Sequence, residues 1–174
     1  MSGERPPFIK HYSELEEPIE DNHYPGSREV FTHDARLARS LGLTRIGVHH
    51  ETLPPGHRSC WPHAHEGDEE LVFVIEGTPD VWIDGELFRL GPGDAVGFAQ
   101  ATGIAHVLIN NTDEPVRFIA VGDAGDRPDR VHYPRHPALN AARGERHWPD
   151  HERPARPDGG HDGMPDALRD QPVD

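Results

Sequence analysis

The stretch that decides the fold is PHAHEGDEELVFVIEG, residues 62–77. It contains His63 and His65, then Glu70, then an apolar run that ends before Gly77. Residues two apart in a strand point to the same face of the sheet, so the two histidines project together. The apolar run after Glu70 predicts a buried strand. This stretch therefore places three possible metal ligands close to the start of a core strand.

A second segment has a similar arrangement. His106 precedes the apolar residues 107–109, and Asn110 follows them as a turn residue. Glu69 and Glu70 both precede the apolar run, and alternation turns them to opposite faces of the sheet, so only one of them is expected to join the histidines. Three imidazoles and one carboxylate can bind a divalent first-row metal ion and leave coordination positions open. We therefore predict a metal site formed by His63, His65, Glu70 and His106.

The spacing of these residues resembles the two signature motifs of the cupin superfamily. The first motif is His-x-His, four residues, Glu, six residues and Gly, which fits residues 63–77 with Glu70 as its carboxylate. The second motif ends in Gly-x-x-His followed by Asn, which fits residues 103–110. The resemblance is close over residues 56–110 and looser over about 42–122.

The chain departs from the cupin pattern at two turns. One extra residue lies between Gly56 and His63, and Ala101 stands where the second motif usually has Pro. Neither departure touches a predicted ligand. The later pair Tyr133-Pro134 is similar to the ending of small single-domain bacterial metal-binding cupins of the type 2 group.

The strand pattern predicts an all-β fold. Residues 46–52 alternate in polarity, and Asp84-Gly85 is a hairpin turn pair between two further strands. Seven or more short strands with such turns favour a jelly roll, and the resemblance implies the double-stranded β-helix of a cupin barrel. Residues 32–41 predict a short N-terminal helix, which Thr32 can cap and Gly42 can end.

Composition divides the chain into three parts. Hydrophobic residues make up 34% of the 174 residues, which is low for a globular protein. We predict an irregular N-terminal arm over 1–28, a cupin barrel over 29–133 and a Pro-, Asp- and His-rich C-terminal tail over 134–174. The tail has little apolar periodicity, so we expect it to be irregular and flexible.

The charge and the apolar pattern exclude several classes of partner. The formal net charge of −14 argues against nucleic acid, because phosphate binding needs concentrated Lys and Arg. The chain has no run of 18 apolar residues and no signal-peptide pattern, which predicts a cytoplasmic protein with no membrane segment. The single cysteine excludes an intramolecular disulfide framework. We expect a small-molecule ligand and a homodimer paired through sheet edges.

The resemblance implies a metal-dependent cupin but does not fix the reaction. The cofactor is expected to be one divalent ion: Fe, Mn, Zn or Ni. We favour an enzyme that acts on a small oxygenated organic molecule, with oxidative, dioxygenase-like chemistry slightly ahead. The alternatives are a redox-neutral isomerase or lyase, for example on a sugar phosphate or hydroxy acid, and a non-catalytic module that binds or senses a small ligand. No catalytic residue beyond the ligands is assigned.

The pocket beside the metal is expected to be mainly apolar. A wall of this kind excludes water and suits a substrate that binds the metal through its own oxygens. A lone cysteine is more often a small buried apolar residue than a catalyst, so Cys60 is placed in the wall and not in the chemistry. The residues predicted to line the pocket are Val72, Val81, Phe98, Leu108, Cys60 and His50.

Overall fold

The computed structural model describes residues 5–124 and 129–169. The strands are β1 (His33–Arg36), β2 (Ile46–Leu53), β3 (Ala64–His65), β4 (Glu70–Glu76), β5 (Asp80–Ile83), β6 (Glu86–Arg89), β7 (Ala95–Phe98), β8 (His106–Ile109), β9 (Val116–Asp123) and β10 (Val131–His132). The α-helices are short: α1 (Leu37–Ser40), α2 (Pro137–Arg143) and α3 (Asp166–Arg169). The predicted all-β class is confirmed.

Two antiparallel sheets face each other and enclose the core. The larger sheet has the order β1-β2-β9-β4-β7, and the smaller has the order β6-β5-β8. A third pair, β10-β3, joins the smaller sheet through a bridge between His63 and His106. Side chains from the inner faces of both sheets interdigitate between them, as in a jelly roll. The buried members are Leu53, Val72, Val81, Phe98, Leu108, Val116 and Phe118.

The predicted hairpin between β5 and β6 has the backbone that its sequence requires. Asp84 has a φ of 46° and Gly85 a φ of 92°. Two consecutive positive φ angles define a two-residue turn whose twist matches the flanking strands, and Asp-Gly is a favoured pair for it. The register then places Ile83 opposite Glu86.

The predicted helix over residues 32–41 is only partly present. Its first half is strand β1, which pairs with β2 in a register that sets Asp34 opposite Glu51. Only Leu37–Ser40 is helical, and Gly42 follows it with a φ of 78°. Local propensity favoured a helix, but pairing with the edge of β2 buries Ala35 completely and outweighs it.

The N-terminal arm follows the same edge of the sheet. Glu16 forms a bridge with Ala35, and the Glu17 amide donates a hydrogen bond to the carbonyl of Asp34 at 2.8 Å. Tyr12 stacks on the outward ring of His50, with 3.9 Å between centroids. Over residues 5–28 the arm is thus irregular in conformation but held by the barrel.

The C-terminal segment differs from the expectation of a flexible tail. Over residues 134–169 it packs on the outer face of the smaller sheet, where Trp148 is 2% exposed and clusters with Trp82, Val107 and Ile109. The Trp82 indole donates to the carbonyl of His161 at 2.8 Å. The composition of this segment did not reveal its packing on the barrel. The packing depends on one large aromatic residue placed opposite an apolar sheet face, where it buries much surface.

No helix of residues 5–124 and 129–169 has the length and apolar character needed to span a membrane.

Candidate metal centre and pocket

The four predicted ligands converge at one end of the barrel. His65 ends β3, Glu70 begins β4 and His106 begins β8, while His63 lies one residue before β3. Glu70 Oε2 is 3.7 Å from His106 Nε2 and 3.9 Å from His65 Nε2. One ligand atom each of His63, Glu70 and His106 lies within 4.8 Å of the others. The rejected alternative, Glu69, is exposed at the pocket rim.

Hydrogen bonds orient the three imidazoles in the same way. Nδ1 of His63 donates to the carbonyl of Trp61 at 2.9 Å, and Nδ1 of His106 donates to the carbonyl of Ile104 at 3.2 Å. Nδ1 of His65 is 2.6 Å from the carboxylate of Asp129. Carbonyl and carboxylate oxygens accept hydrogen bonds, so each ring donates through Nδ1 and turns Nε2 towards the site.

Burial and charge keep this site in a form that can bind a metal. Burial by itself raises the pKa of Glu70, but the neighbouring imidazoles, His106 foremost, lower it to about 2. Burial also lowers the pKa of His106, although the neighbouring Glu70 acts against it. Nε2 of His106 is buried and has no hydrogen-bond partner. A deprotonated carboxylate and an unpaired imidazole nitrogen fit a divalent cation.

Neighbouring side chains hold the ligands in place. The ring of Phe98 stacks on that of His106, with 3.5 Å between centroids and 4° between planes. The Cys60 sulfur is 3.4 Å from Nδ1 of His63. Burial raises the pKa of the Cys60 thiol, which therefore stays protonated and is not a nucleophile at neutral pH.

A pocket of about 260 Å³ lies next to the four convergent side chains. Of the residues predicted for its wall, Val72, Leu108 and Cys60 line it. The other three are not among the lining residues of this pocket. Val81 belongs to the hydrophobic core, Phe98 lines a neighbouring cavity together with Glu70, and His50 lies on the outer face of β2 against Tyr12.

His49 and Glu51 also line the pocket and were not among the residues predicted for its wall. They flank His50 on β2, and alternation turns both to the opposite face. The polarity pattern of residues 46–52 shows which side chains share a face. It does not show which face is concave, because that depends on the pairing of β2 with β9.

Comparison with known proteins identifies the family. Residues 49–122 match the family model described as Cupin domain. A candidate sugar phosphate isomerase from Acidithiobacillus ferrooxidans is 30% identical, with a TM-score of 0.57 over 59% of this chain and 65% of that one. A sugar phosphate isomerase from Silicibacter pomeroyi is 32% identical, with a TM-score of 0.55 over 57% of this chain and 63% of that one.

A third structure shares the fold. The polyketide cyclase RemF from Streptomyces resistomycificus is 24% identical, with a TM-score of 0.57 over 70% of this chain and 82% of that one. No protein of curated function has significant sequence similarity to this chain. The match of residues 49–122 to the family model and the jelly roll that contains them show that this part of the chain is a cupin domain. It spans slightly less than two thirds of the two isomerase structures.

Proposed function

We propose that the protein is a metal-dependent enzyme that rearranges a small, uncharged oxygenated molecule without net oxidation. The observation that carries the proposal is the convergence of four ligand-type side chains beside a pocket of about 260 Å³. His63, His65, Glu70 and His106 would hold the ion. A bound Fe, Mn, Zn or Ni ion would act there as a Lewis acid that polarises a substrate oxygen.

The charge of the pocket lining selects among substrates. Among the described residues, neither Lys nor Arg lines the pocket, whereas Asp68, Glu69 and Asp123 lie at its rim. The nearby Arg36 is already paired with carboxylates, at 3.3 Å from Asp34 and 3.5 Å from Glu17. Apart from the metal ion itself, a phosphate group would therefore find no cationic side chain among the described lining residues.

The relatives favour isomerase chemistry, and the lining favours an uncharged substrate. Two of the compared cupins, at 30% and 32% identity, are described as sugar phosphate isomerases, one of them as a candidate. Because no Lys or Arg side chain lines the described pocket to hold a phosphate, we infer a substrate of the same hydroxy-carbonyl type without the phosphate. The pocket volume limits it to a small molecule.

Oxidative chemistry is the second candidate. The pocket wall beside the ligands contains Val72, Leu108 and Phe118, and such an apolar wall keeps water away from reactive oxygen species. The two candidates differ in one measurable requirement. The oxidative reaction consumes oxygen, and the rearrangement does not.

The test uses the full chain purified without added metal. Metal analysis should find about one equivalent of a divalent transition ion. Unphosphorylated hydroxyaldehydes and hydroxyketones of three to five carbons, each compared with its phosphate ester, should then be followed with and without oxygen. We expect turnover of an unphosphorylated compound under both conditions. Turnover only with oxygen favours the oxidative candidate, and metal binding with no turnover of any compound favours a binding module.

We also propose that the protein forms a homodimer through the larger sheet. On the outer face of β4, Leu71, Phe73 and Ile75 are 44%, 42% and 43% exposed. β7 lies at the edge of this sheet and can pair with another strand. Light scattering should give twice the chain mass, and Phe73→Glu should give the mass of one chain. A monomeric wild-type protein at micromolar concentration would contradict this.

A further inference from the structure

The floor of the pocket separates two groups of polar side chains. Paired residues of antiparallel strands point to the same face, so the register of β4, β9 and β2 defines rows across the concave side. One row is Glu70, Gly122 and Gly47, and the next is Val72, Ala120 and His49. The central residues are small, which leaves open space between the ligand side chains and β2.

A carboxylate and imidazole cluster faces the ligands across this floor. His49 and Glu51 line the pocket from β2, and Asp34 lies directly opposite Glu51 on β1. Nδ1 of His49 is 2.9 Å from Asp34 Oδ1, and the Thr32 hydroxyl donates to Glu51 Oε2 at 2.8 Å. Ligand atoms of Asp34, His49 and Glu51 all lie within 4.8 Å of one another.

The surroundings of this cluster raise the proton affinity of both Glu51 and His49. Burial, followed by the charge of Asp34 opposite, raises the pKa of Glu51 to about 7. The hydrogen bond to Asp34 raises the pKa of His49, although burial and Arg36 act against it. The charged groups that face the cluster are Arg36 from β1 and, across the floor, Glu70 from β4. A carboxyl group with a pKa near 7 is poised for proton transfer at neutral pH.

We propose that Glu51 is the residue that moves the substrate's carbon-bound proton, and that His49, held by Asp34, donates a proton to the carbonyl oxygen. The inference rests on the proposed function and names the residues that perform it. In the forward step Glu51 takes a proton from the hydroxyl-bearing carbon next to the carbonyl. The C–H electron pair forms a carbon–carbon double bond, and the carbonyl π pair takes the proton of His49.

Reversal at the neighbouring carbon completes the exchange. The oxygen of the original hydroxyl returns a proton to His49 and becomes the new carbonyl. Glu51 delivers its proton to the former carbonyl carbon. Hydroxyaldehyde and hydroxyketone are thereby interconverted with no oxidant and no net proton change. Thr32 fixes one oxygen of Glu51, which leaves the other for the substrate.

The test compares Glu51→Gln with a matched control, Glu16→Gln. Glu16 also accepts a threonine hydroxyl, from Thr52 at 3.2 Å, but on the side of β2 away from the pocket. In D₂O, proton NMR should show deuterium entering the substrate at carbon. We expect Glu51→Gln to slow this exchange by about 10²- to 10⁴-fold and Glu16→Gln to leave it unchanged. Metal content should match the wild-type value in both variants, and both should remain folded.

A second readout needs no turnover. In metal-free protein, carbon-13 NMR should show one glutamate carboxyl that titrates near pH 7 and disappears in Glu51→Gln. His49→Gln should remove the alkaline limb of the pH–rate profile. A Glu51 carboxyl that titrates near 4.5, or exchange within threefold of wild type in Glu51→Gln, would overturn the assignment. If the wild-type protein binds no metal while Glu51 still titrates near pH 7, the metal-dependent function fails and the proton-holding cluster stands.

Discussion

Two glutamates of one pocket differ widely in their affinity for a proton. The pKa of Glu70, among three imidazoles, is lowered to about 2, whereas that of Glu51, opposite Asp34, is raised to about 7. The same residue types are present on both walls in different proportions. A carboxylate surrounded by imidazoles stays ionised and can bind a metal ion. A carboxylate beside another carboxylate binds a proton more tightly. Environments that separate the pKa values of two carboxyl groups in this way give the two groups different chemical roles.

The largest expected effect tests whether the ligand wall alone binds metal. His63→Ala and His106→Ala should each reduce metal content to near background, because each removes one of the Nε2 atoms that face Glu70. His49→Gln, on the opposite wall, should retain the wild-type stoichiometry. Inductively coupled plasma mass spectrometry of the purified variants measures both. Full metal content in both alanine variants would show that the ion lies elsewhere.

The next-largest effect concerns the packing behind the wall that carries the predicted metal ligands. Trp148 packs with Val107 and Ile109 behind β8, the strand that begins with His106. Trp148→Ala should lower the free energy of unfolding by about 3–5 kcal/mol, since it empties a large buried site. Chemical denaturation measures this, with the 48% exposed Phe88→Ala as the control, which should change little. A loss below about 1 kcal/mol would restore the expectation of a dispensable tail.

A smaller effect concerns the orientation of one ligand. Asp129 is 2.6 Å from Nδ1 of His65 and also accepts the amide of Gly67 at 2.9 Å. Asp129→Asn should weaken metal affinity by roughly 10- to 100-fold, as is typical for the partner of a metal-binding histidine. Competition with a chromophoric chelator gives the affinity. Asp94→Asn, which also changes a carboxylate that accepts a glycine amide, should have no effect.

The smallest effect appears in the pH dependence of stability. The raised pKa of Glu51 means that the folded state binds its proton more tightly than the unfolded state. Its contribution is therefore fully present below about pH 4.5 and is lost as pH rises through 7. Glu51→Gln should gain about 1–2 kcal/mol on metal-free wild-type protein between pH 4.5 and 8, allowing for solvent screening. Urea unfolding at both pH values, with Glu16→Gln as reference, checks the sign.

The sequence by itself determined the cupin fold, most of the strands and which ligand-type side chains converge. The spacing from His63 to Gly77 and from Gly103 to Asn110 encodes this locally, because strand alternation and turn residues act over a few positions. Asn110, predicted as a turn residue, is fully buried and donates to the carbonyls of Leu53 and Glu114. The choice of Glu70 over Glu69 came from the six-residue gap to Gly77, which fits the cupin motif only from Glu70.

The tertiary structure alone decided three other matters. It turned His49 and Glu51 inward and His50 outward, because the curvature of a sheet depends on all of its strands. It made residues 33–36 a strand, because β2 offered an open edge. It ordered the segment around Trp148, because an apolar sheet face lay within its reach. In each case the stabilising contacts are made with residues distant in the chain. A local sequence pattern therefore does not reveal them.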